Sequence, residues 1–217
     1  MRITKIETQK RKTGRRNIYV DGRFAVGISE ETLLRLSLRT GDETTAKQLK
    51  AIGAVEGLVK TKKAALHFLS YRARTVRELQ KRLRQKDFTL ADIKQVVSEL
   101  KETGLLDDGE FARIYIHDRL AVRPIGRRML KQKLLFHGVE GPVADQALDE
   151  AFSSFSQEEA AIELARKFVR LRGKSISDPV KLRNRLAGFL ARRGFPWEVI
   201  RSALRTVGSE AYEENLE

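Results

Sequence analysis

Three apolar residues, Phe88, Val139 and Phe195, end the runs Lys-Asp-Phe, His-Gly-Val and Arg-Gly-Phe, and the chain repeats itself around them without a gap. Nine positions before each stand Leu79, Leu130 and Leu186, and five before stand Leu83, Leu134 and Leu190. Five positions after come Ile93, Ala144 and Ile200, and nine after come Val97, Leu148 and Leu204. The residue just before each anchor is Asp87, Gly138 or Gly194, types that tolerate the left-handed backbone a helix exit requires. The anchors lie 51 and 56 residues apart, room for three helices per unit. The second and third helices of each unit therefore meet at a short turn with matched apolar stripes, a helix-turn-helix-like corner. Leucines and phenylalanines at these positions are core residues first. A corner of this kind also fits a DNA-binding module, so alone it carries little functional weight.

Helix starts are marked by capping chemistry. Thr75 and Glu78, Thr89 and Asp92, Asp107 and Glu110, and Ser156 and Glu159 have the spacing in which a side-chain oxygen accepts orphan N–H groups and an acid occupies the first turn. Asp178-Pro179 is a cap followed by proline at the first helical position. These marks predict helices near 62–71, 76–86, 90–102, 108–122, 124–137, 142–152, 157–172, 179–193 and 197–207. In the fifth, Pro124 suits the first turn and Gly138 the exit. The tail from Glu210 to Glu217 is acidic and is expected to fray.

Residues 1–28 read differently. Ile3, Ile6 and Thr8, then Ile18-Tyr19-Val20 and Phe24-Ala25-Val26, are short β-prone runs. Asp21-Gly22 between the second and third is the signature of a type I′ hairpin turn, which needs positive φ at both central residues. The basic stretch Lys10-Arg11-Lys12, with Arg15-Arg16 beyond Gly14, reads as a solvated loop between the first two runs. Ser29 caps a short helix over 30–36, Gly41-Asp42 closes the unit, and residues 44–62 are predicted to form a helix leading onward. The expected organisation is mainly α: a small N-terminal β-hairpin module over 1–50, three-helix repeats over 51–106, 107–155 and 156–208 in an elongated array, and an acidic tail over 209–217.

The charge points to an anionic partner. Forty-three Lys and Arg against 29 Asp and Glu leave a net charge of +14, which suits nucleic acid, an acidic protein surface or anionic lipid. The plainer alternative is a soluble basic protein with no such partner. No apolar run approaches the ~18 residues of a membrane span, nor is there an apolar signal core at the N-terminus. The absence of cysteine excludes disulfides and thiolate metal sites and fits a cytoplasmic chain.

A search for catalytic chemistry finds nothing. His67, His117 and His137 are isolated, without metal-ligand spacing. No glycine-rich loop ends in Lys-Ser or Lys-Thr, and no Gly-x-Ser-x-Gly occurs. Asp107-Asp108 invites a metal-nuclease reading, but both sit at a helix start, where carboxylates stabilise exposed N–H groups, and no metal-ligand cluster accompanies them. The expectation is no catalytic residue, no cofactor and no metal.

The cations are the better candidates. Arg72, Arg74, Arg77, Lys81 and Arg82 surround a helix start in the first unit; Arg119, Arg123, Arg127, Arg128 and Lys131 crowd an acid-free stretch of the second; Arg192 and Arg193 lie in the third. Any one of them is as readily a solvated surface charge. Their recurrence at related places suggests a continuous strip across stacked repeats. Arginine's planar fork suits carboxylate or phosphate. Aromatic partners for bases are sparse, with Tyr71 and Tyr115 on first helices and Trp197 expected to pack. Binding without base preference follows, to acidic protein surface and DNA backbone.

The stretches ALHFLSYRARTVRELQKRLRQKDF (65–88), VVSELKETGLLDDGEFARIYIHDRL (96–120) and RP…GRRMLKQKL (123–134) resemble the RecX family of bacterial recombinase regulators. The likeness spans roughly 64–207, and the N-terminal hairpin resembles an extension carried by some members. The third unit departs most, since KSISDPVKLRN lacks the Arg-x-Arg-Thr-x-x-Glu form of Arg72–Glu78. The resemblance implies a non-enzymatic negative regulator of RecA in recombination, DNA repair and the SOS response. It would bind the RecA–single-stranded DNA filament, in its groove or at its ends, and depress ATPase, strand exchange and coprotease activities. It implies a monomer whose partners are the RecA filament and single-stranded DNA, with duplex DNA bound without sequence preference and no membrane. The rival class is a helix-turn-helix transcription regulator, which would read one duplex sequence tightly and commonly as a two-fold dimer.

Overall fold

The computed structural model describes residues 1–10, 12–176 and 178–213. Arg11 of the basic N-terminal stretch and residues 214–217 of the acidic tail lie outside them. Among the described residues the chain forms three strands followed by ten α-helices, with one short 3-10 turn at Gly173–Ser175. Its contacts divide it into two units: residues 1–74 with 78–106, and residues 75–77 with everything from 107 onward.

The first unit begins with an antiparallel sheet of β1 (Ile3–Gln9), β2 (Lys12–Val20) and β3 (Arg23–Ser29), in the order β1-β2-β3. Asp21 and Gly22 both take positive φ, 48° and 77°, so the expected I′-type turn joins β2 to β3. Ile3, Ile18, Val20 and Ile28 point to one side and are buried with Ile52. Arg15 and Arg16 are not loop residues. Both lie in β2, where Arg15 reaches Glu56 at 3.0 Å and Arg16 reaches Glu30 at 2.8 Å.

After the short α1 (Glu30–Arg35), a single 26-residue helix, α2 (Ala46–Tyr71), replaces the two that were predicted to meet near residue 62. A Thr45/Gln48 capping box starts it, and no proline or cap interrupts it. Thr61 spends its hydroxyl on the Gly57 carbonyl at 2.9 Å instead of breaking the helix. One end of α2 thus backs the sheet and the other leads into α3 (Val76–Arg84) and α4 (Leu90–Glu102).

The second unit holds two three-helix repeats. α5 (Asp108–Val122), α6 (Arg127–His137) and α7 (Gly141–Phe152) enclose Phe111, Ile116, Leu130, Leu134, Val139 and Leu148. α8 (Gln157–Arg172), α9 (Pro179–Arg192) and α10 (Trp197–Glu213) enclose Ala161, Ala165, Leu186, Leu190, Phe195 and Ile200. α6 starts three residues later than predicted. Pro124 lies outside it, Gly126 is its cap residue, and Ile125 is drawn into the core.

The repeat register is realised at every turn. Asp87, Gly138 and Gly194 have φ of 61°, 97° and 82°. Phe88, Val139 and Phe195 each donate their N–H to the carbonyl five residues back, at 3.4, 3.0 and 3.4 Å. Asp87, Gly138 and Gly194 each donate three residues back, at 3.0, 3.0 and 2.9 Å. This is the Schellman pattern, formed three times. The leucines five and nine positions before each anchor are at most 3% exposed.

Candidate functional site

In the first unit the cations gather around one aromatic ring. Arg74 and Arg82 lie over Phe68 with guanidinium carbons 5.9 and 5.5 Å from its centroid, and Arg74 Nε donates to the Phe68 carbonyl at 3.0 Å. Burial, then the neighbouring Arg72 charge, lowers the basicity of Arg74. Arg72 pairs with Glu78 at 2.8 Å, while Lys81 stands exposed. Part of this set is therefore structural.

The second unit separates its cations by role. Arg127 pairs with Asp149 at 2.7 Å and Lys131 with Asp145 at 2.8 Å, so two of the residues nominated from sequence join α6 to α7. Arg119 lies 5.2 Å over Tyr115, in a cluster where Tyr115 and His137 are 5.0 Å apart. Arg193 lies 4.6 Å over Phe189 and is held down in basicity by burial, then by the Arg123 charge. Arg123 and Arg128 are exposed with no ion pair among the described residues, and Arg192 is exposed as well.

The helix starts are tied into neighbouring turns. Thr75 is buried and its hydroxyl donates to the His137 carbonyl at 2.7 Å. Asp107 caps its own helix through the N–H groups of Gly109 and Glu110. Asp108 instead accepts the Val76 N–H at 2.8 Å, so it caps α3 rather than α5. Arg77 lays its stem across Gly138, where an added Cβ would lie 2.5 Å from Arg77 Cδ.

Sequence reasoning missed one element. Trp197, expected to pack, is 55% exposed at the start of α10. It lines a cleft of about 650 Å³ with Arg127, Arg128, Lys131, Asp145 and Gln157. Its only sequence signal is a tryptophan beside a cap proline, which does not distinguish a core residue from an exposed one. Among the described residues no group of three or more His, Asp or Glu is placed to hold a metal, and no helix is long and apolar enough to cross a membrane.

Capped three-helix repeats behind a small antiparallel sheet define a helical-repeat protein. Four sequence-family models match along the chain: the regulatory protein RecX N-terminal domain at 1–45, and the RecX first, second and third three-helix domains at 62–100, 107–148 and 156–204. The chain belongs to the RecX family of regulatory proteins. It is 31% identical over 203 residues to the regulatory protein RecX of Clostridium tetani, covering 94% of this chain and 93% of that one. It is 32% identical over 215 residues to that of Clostridium perfringens (strain SM101 / Type A), covering 98% and 99%. A crystal structure of regulatory protein RecX superposes with a TM-score of 0.75 at 29% identity, covering 92% of this chain and 97% of the other. RecX from Lactobacillus salivarius shares the fold, with a TM-score of 0.63 at 24% identity over 71% of this chain and 98% of that one.

Proposed function

We propose that this chain is a negative regulator of the RecA recombinase that binds the RecA–single-stranded DNA filament and depresses its ATPase, strand exchange and coprotease activities. It acts in the cytoplasm as a monomer, by binding and without chemistry of its own, in recombination, DNA repair and the SOS response. The observation that carries the reading is the match of all four RecX domain models in order along one chain. The exposed Arg123, Arg128 and Arg192, which no carboxylate neutralises among the described residues, supply contacts for phosphates and acidic side chains.

The transcription-regulator reading is weaker on physical grounds. In a helix-turn-helix the second helix of the corner enters the major groove. In the second repeat that helix is α7, GPVADQALDEAF, which carries Asp145, Asp149 and Glu150 and no Lys or Arg. With Asp145 and Asp149 already engaged by α6 and no cation of its own, α7 offers no attraction to the phosphates lining a groove. The deciding experiment is the single-strand-dependent ATPase of RecA titrated with this protein. Inhibition at substoichiometric amounts is expected; unchanged hydrolysis at one-to-one would overturn the assignment.

A further inference from the structure

We propose that the cleft between the starts of α6 and α10 is a single-stranded DNA subsite, in which one base stacks on Trp197 while Arg128 holds the adjoining phosphate. The proposal deepens the filament reading, from which it takes its polymer, by assigning the DNA contact to a place.

The cleft is a built feature. Gly126 donates its N–H to the Arg193 carbonyl at 2.8 Å, and a Cβ on Gly126 would fall 2.0 Å from the Gly194 carbonyl oxygen. Only glycine permits this approach, and it brings the first turn of α6 beside the first turn of α10. Gln157 adds to the fixture by accepting the Arg127 N–H at 3.2 Å. The indole is 55% exposed and lines a space of about 650 Å³ there.

The lining chemistry selects the ligand. Three cations and one carboxylate line the space, and that carboxylate, Asp145, is already engaged by Lys131. Arg127 is tied to Asp149. Arg128 is exposed with no ion pair among the described residues, so it is the cation ready to meet a new anion. A half-exposed indole beside an unpaired guanidinium matches an unstacked base joined to a phosphate, and stacking on an aromatic face tolerates any base. Duplex DNA keeps its bases stacked on each other and offers no face to Trp197. An acidic peptide would use the cations and leave the indole idle.

Trp197 is the single tryptophan of the chain, so its fluorescence reports this site alone. The wild-type protein is titrated with oligothymidylate about ten nucleotides long, within the span of single-strand sites, and with an abasic oligomer of equal length, a duplex and polyglutamate. Saturable quenching by oligothymidylate, with little from the other three, is expected. Labelled-oligomer anisotropy should then show Trp197→Ala weakening binding about tenfold, on the scale of one base stacked on an aromatic ring, with Trp197→Phe retaining part of it. Arg128→Ala should weaken binding and flatten its salt dependence by about one unit. Unchanged melting of the variants excludes misfolding. Equal quenching by polyglutamate or duplex, or wild-type affinity in Trp197→Ala, would overturn the subsite. RecA ATPase measured in parallel separates the two readings: quenching without RecA inhibition removes the filament assignment alone, and inhibition without quenching removes the cleft alone.

Discussion

Gly126 and Gly194 meet backbone to backbone. The Gly126 N–H donates to the carbonyl of Arg193, and neither glycine has room for a side chain: a Cβ at Gly194 would lie 2.6 Å from Met129 Cβ. The same joint occurs one repeat earlier. Counted from the anchors, Thr75 occupies the position of Gly126, and it too donates to the carbonyl two residues before the next anchor, that of His137. The residues differ, a hydroxyl in one case and a backbone N–H in the other, yet the accepting carbonyl is equivalent. Each joint thus uses a turn that the Schellman motif has already fixed.

A steric prediction follows for the glycine joint. Gly126→Ala should destabilise the protein by about 1–3 kcal/mol, the usual range for overpacking, because the obstructing atoms are backbone. Gly53, inside α2 with nothing within 4 Å of its Cβ position, is the control. Gly53→Ala should stabilise by about 0.5–1 kcal/mol through helix propensity. Denaturant melts of the two variants should move in opposite directions.

Gly138→Val combines two penalties. Its φ of 97° is unfavourable for a β-branched residue, and the new Cβ would lie 2.6 Å from Arg77 Cβ. The left-handed strain alone costs about 1–2 kcal/mol, and the contact adds to it. A melting temperature within a degree or two of wild type would refute the joint as described.

Much of this was legible beforehand, because turn chemistry and leucine spacing are local. The left-handed residues Asp87, Gly138 and Gly194 and the buried positions around them follow directly from the repeat. Continuity of α2 was not legible, since Thr61 and two glycines resemble a break until the Thr61 hydroxyl is seen bonded within the helix. The strand residues Arg15 and Arg16 looked like loop because their carboxylate partners lie 41 and 14 residues away. For the cations, sequence shows charge but not pairing. That Arg127 and Lys131 meet Asp149 and Asp145, while Arg128 is left without a carboxylate among the described residues, depends on the angle between α6 and α7. Exposure of Trp197 depends on its tertiary placement beside α6, which no local pattern announces.

Glu56 gives the stability a pH dependence. It is 2% exposed, and its carboxylate accepts from Ser29 N–H at 2.8 Å, Ser29 Oγ at 2.9 Å and Thr32 Oγ1 at 2.8 Å, with Arg15 at 3.0 Å. Burial by itself raises its pKa, but the hydrogen bonds from Ser29 and Thr32 and the Lys60 charge outweigh it, and the pKa ends below the usual 4.5. A carboxyl depressed in the folded state binds its proton more readily when unfolded. Its contribution is fully present above the unfolded value and is lost as pH falls through the folded one. Glu56→Gln should remove that part of the acid sensitivity. Glu56→Leu should cost about 3–5 kcal/mol at neutral pH by stranding Arg15. Urea melts between neutral and acid pH check both, and an acid profile unchanged in Glu56→Gln would refute the role.

The last prediction separates contact cations from structural ones. Arg123 and Arg128 are exposed with no ion pair among the described residues, so their replacement by alanine should change stability by less than about 0.5 kcal/mol, as typical surface substitutions do. Arg127 and Lys131 already hold carboxylates in half-exposed pairs worth about 0–1 kcal/mol each. Removing either also frees Asp149 or Asp145 to repel an incoming anion. If these cations meet phosphate, Arg128→Ala should lower the salt slope of single-strand binding by about one unit. Arg127→Ala should weaken affinity as much or more while shifting the slope by a similar amount, because the released carboxylate acts at short range. The double variant Arg123→Ala/Arg128→Ala should melt like wild type and lose most inhibition of the RecA ATPase. Full inhibition by that variant, with an unchanged melt, would show that the cationic face of the second repeat is not the binding surface.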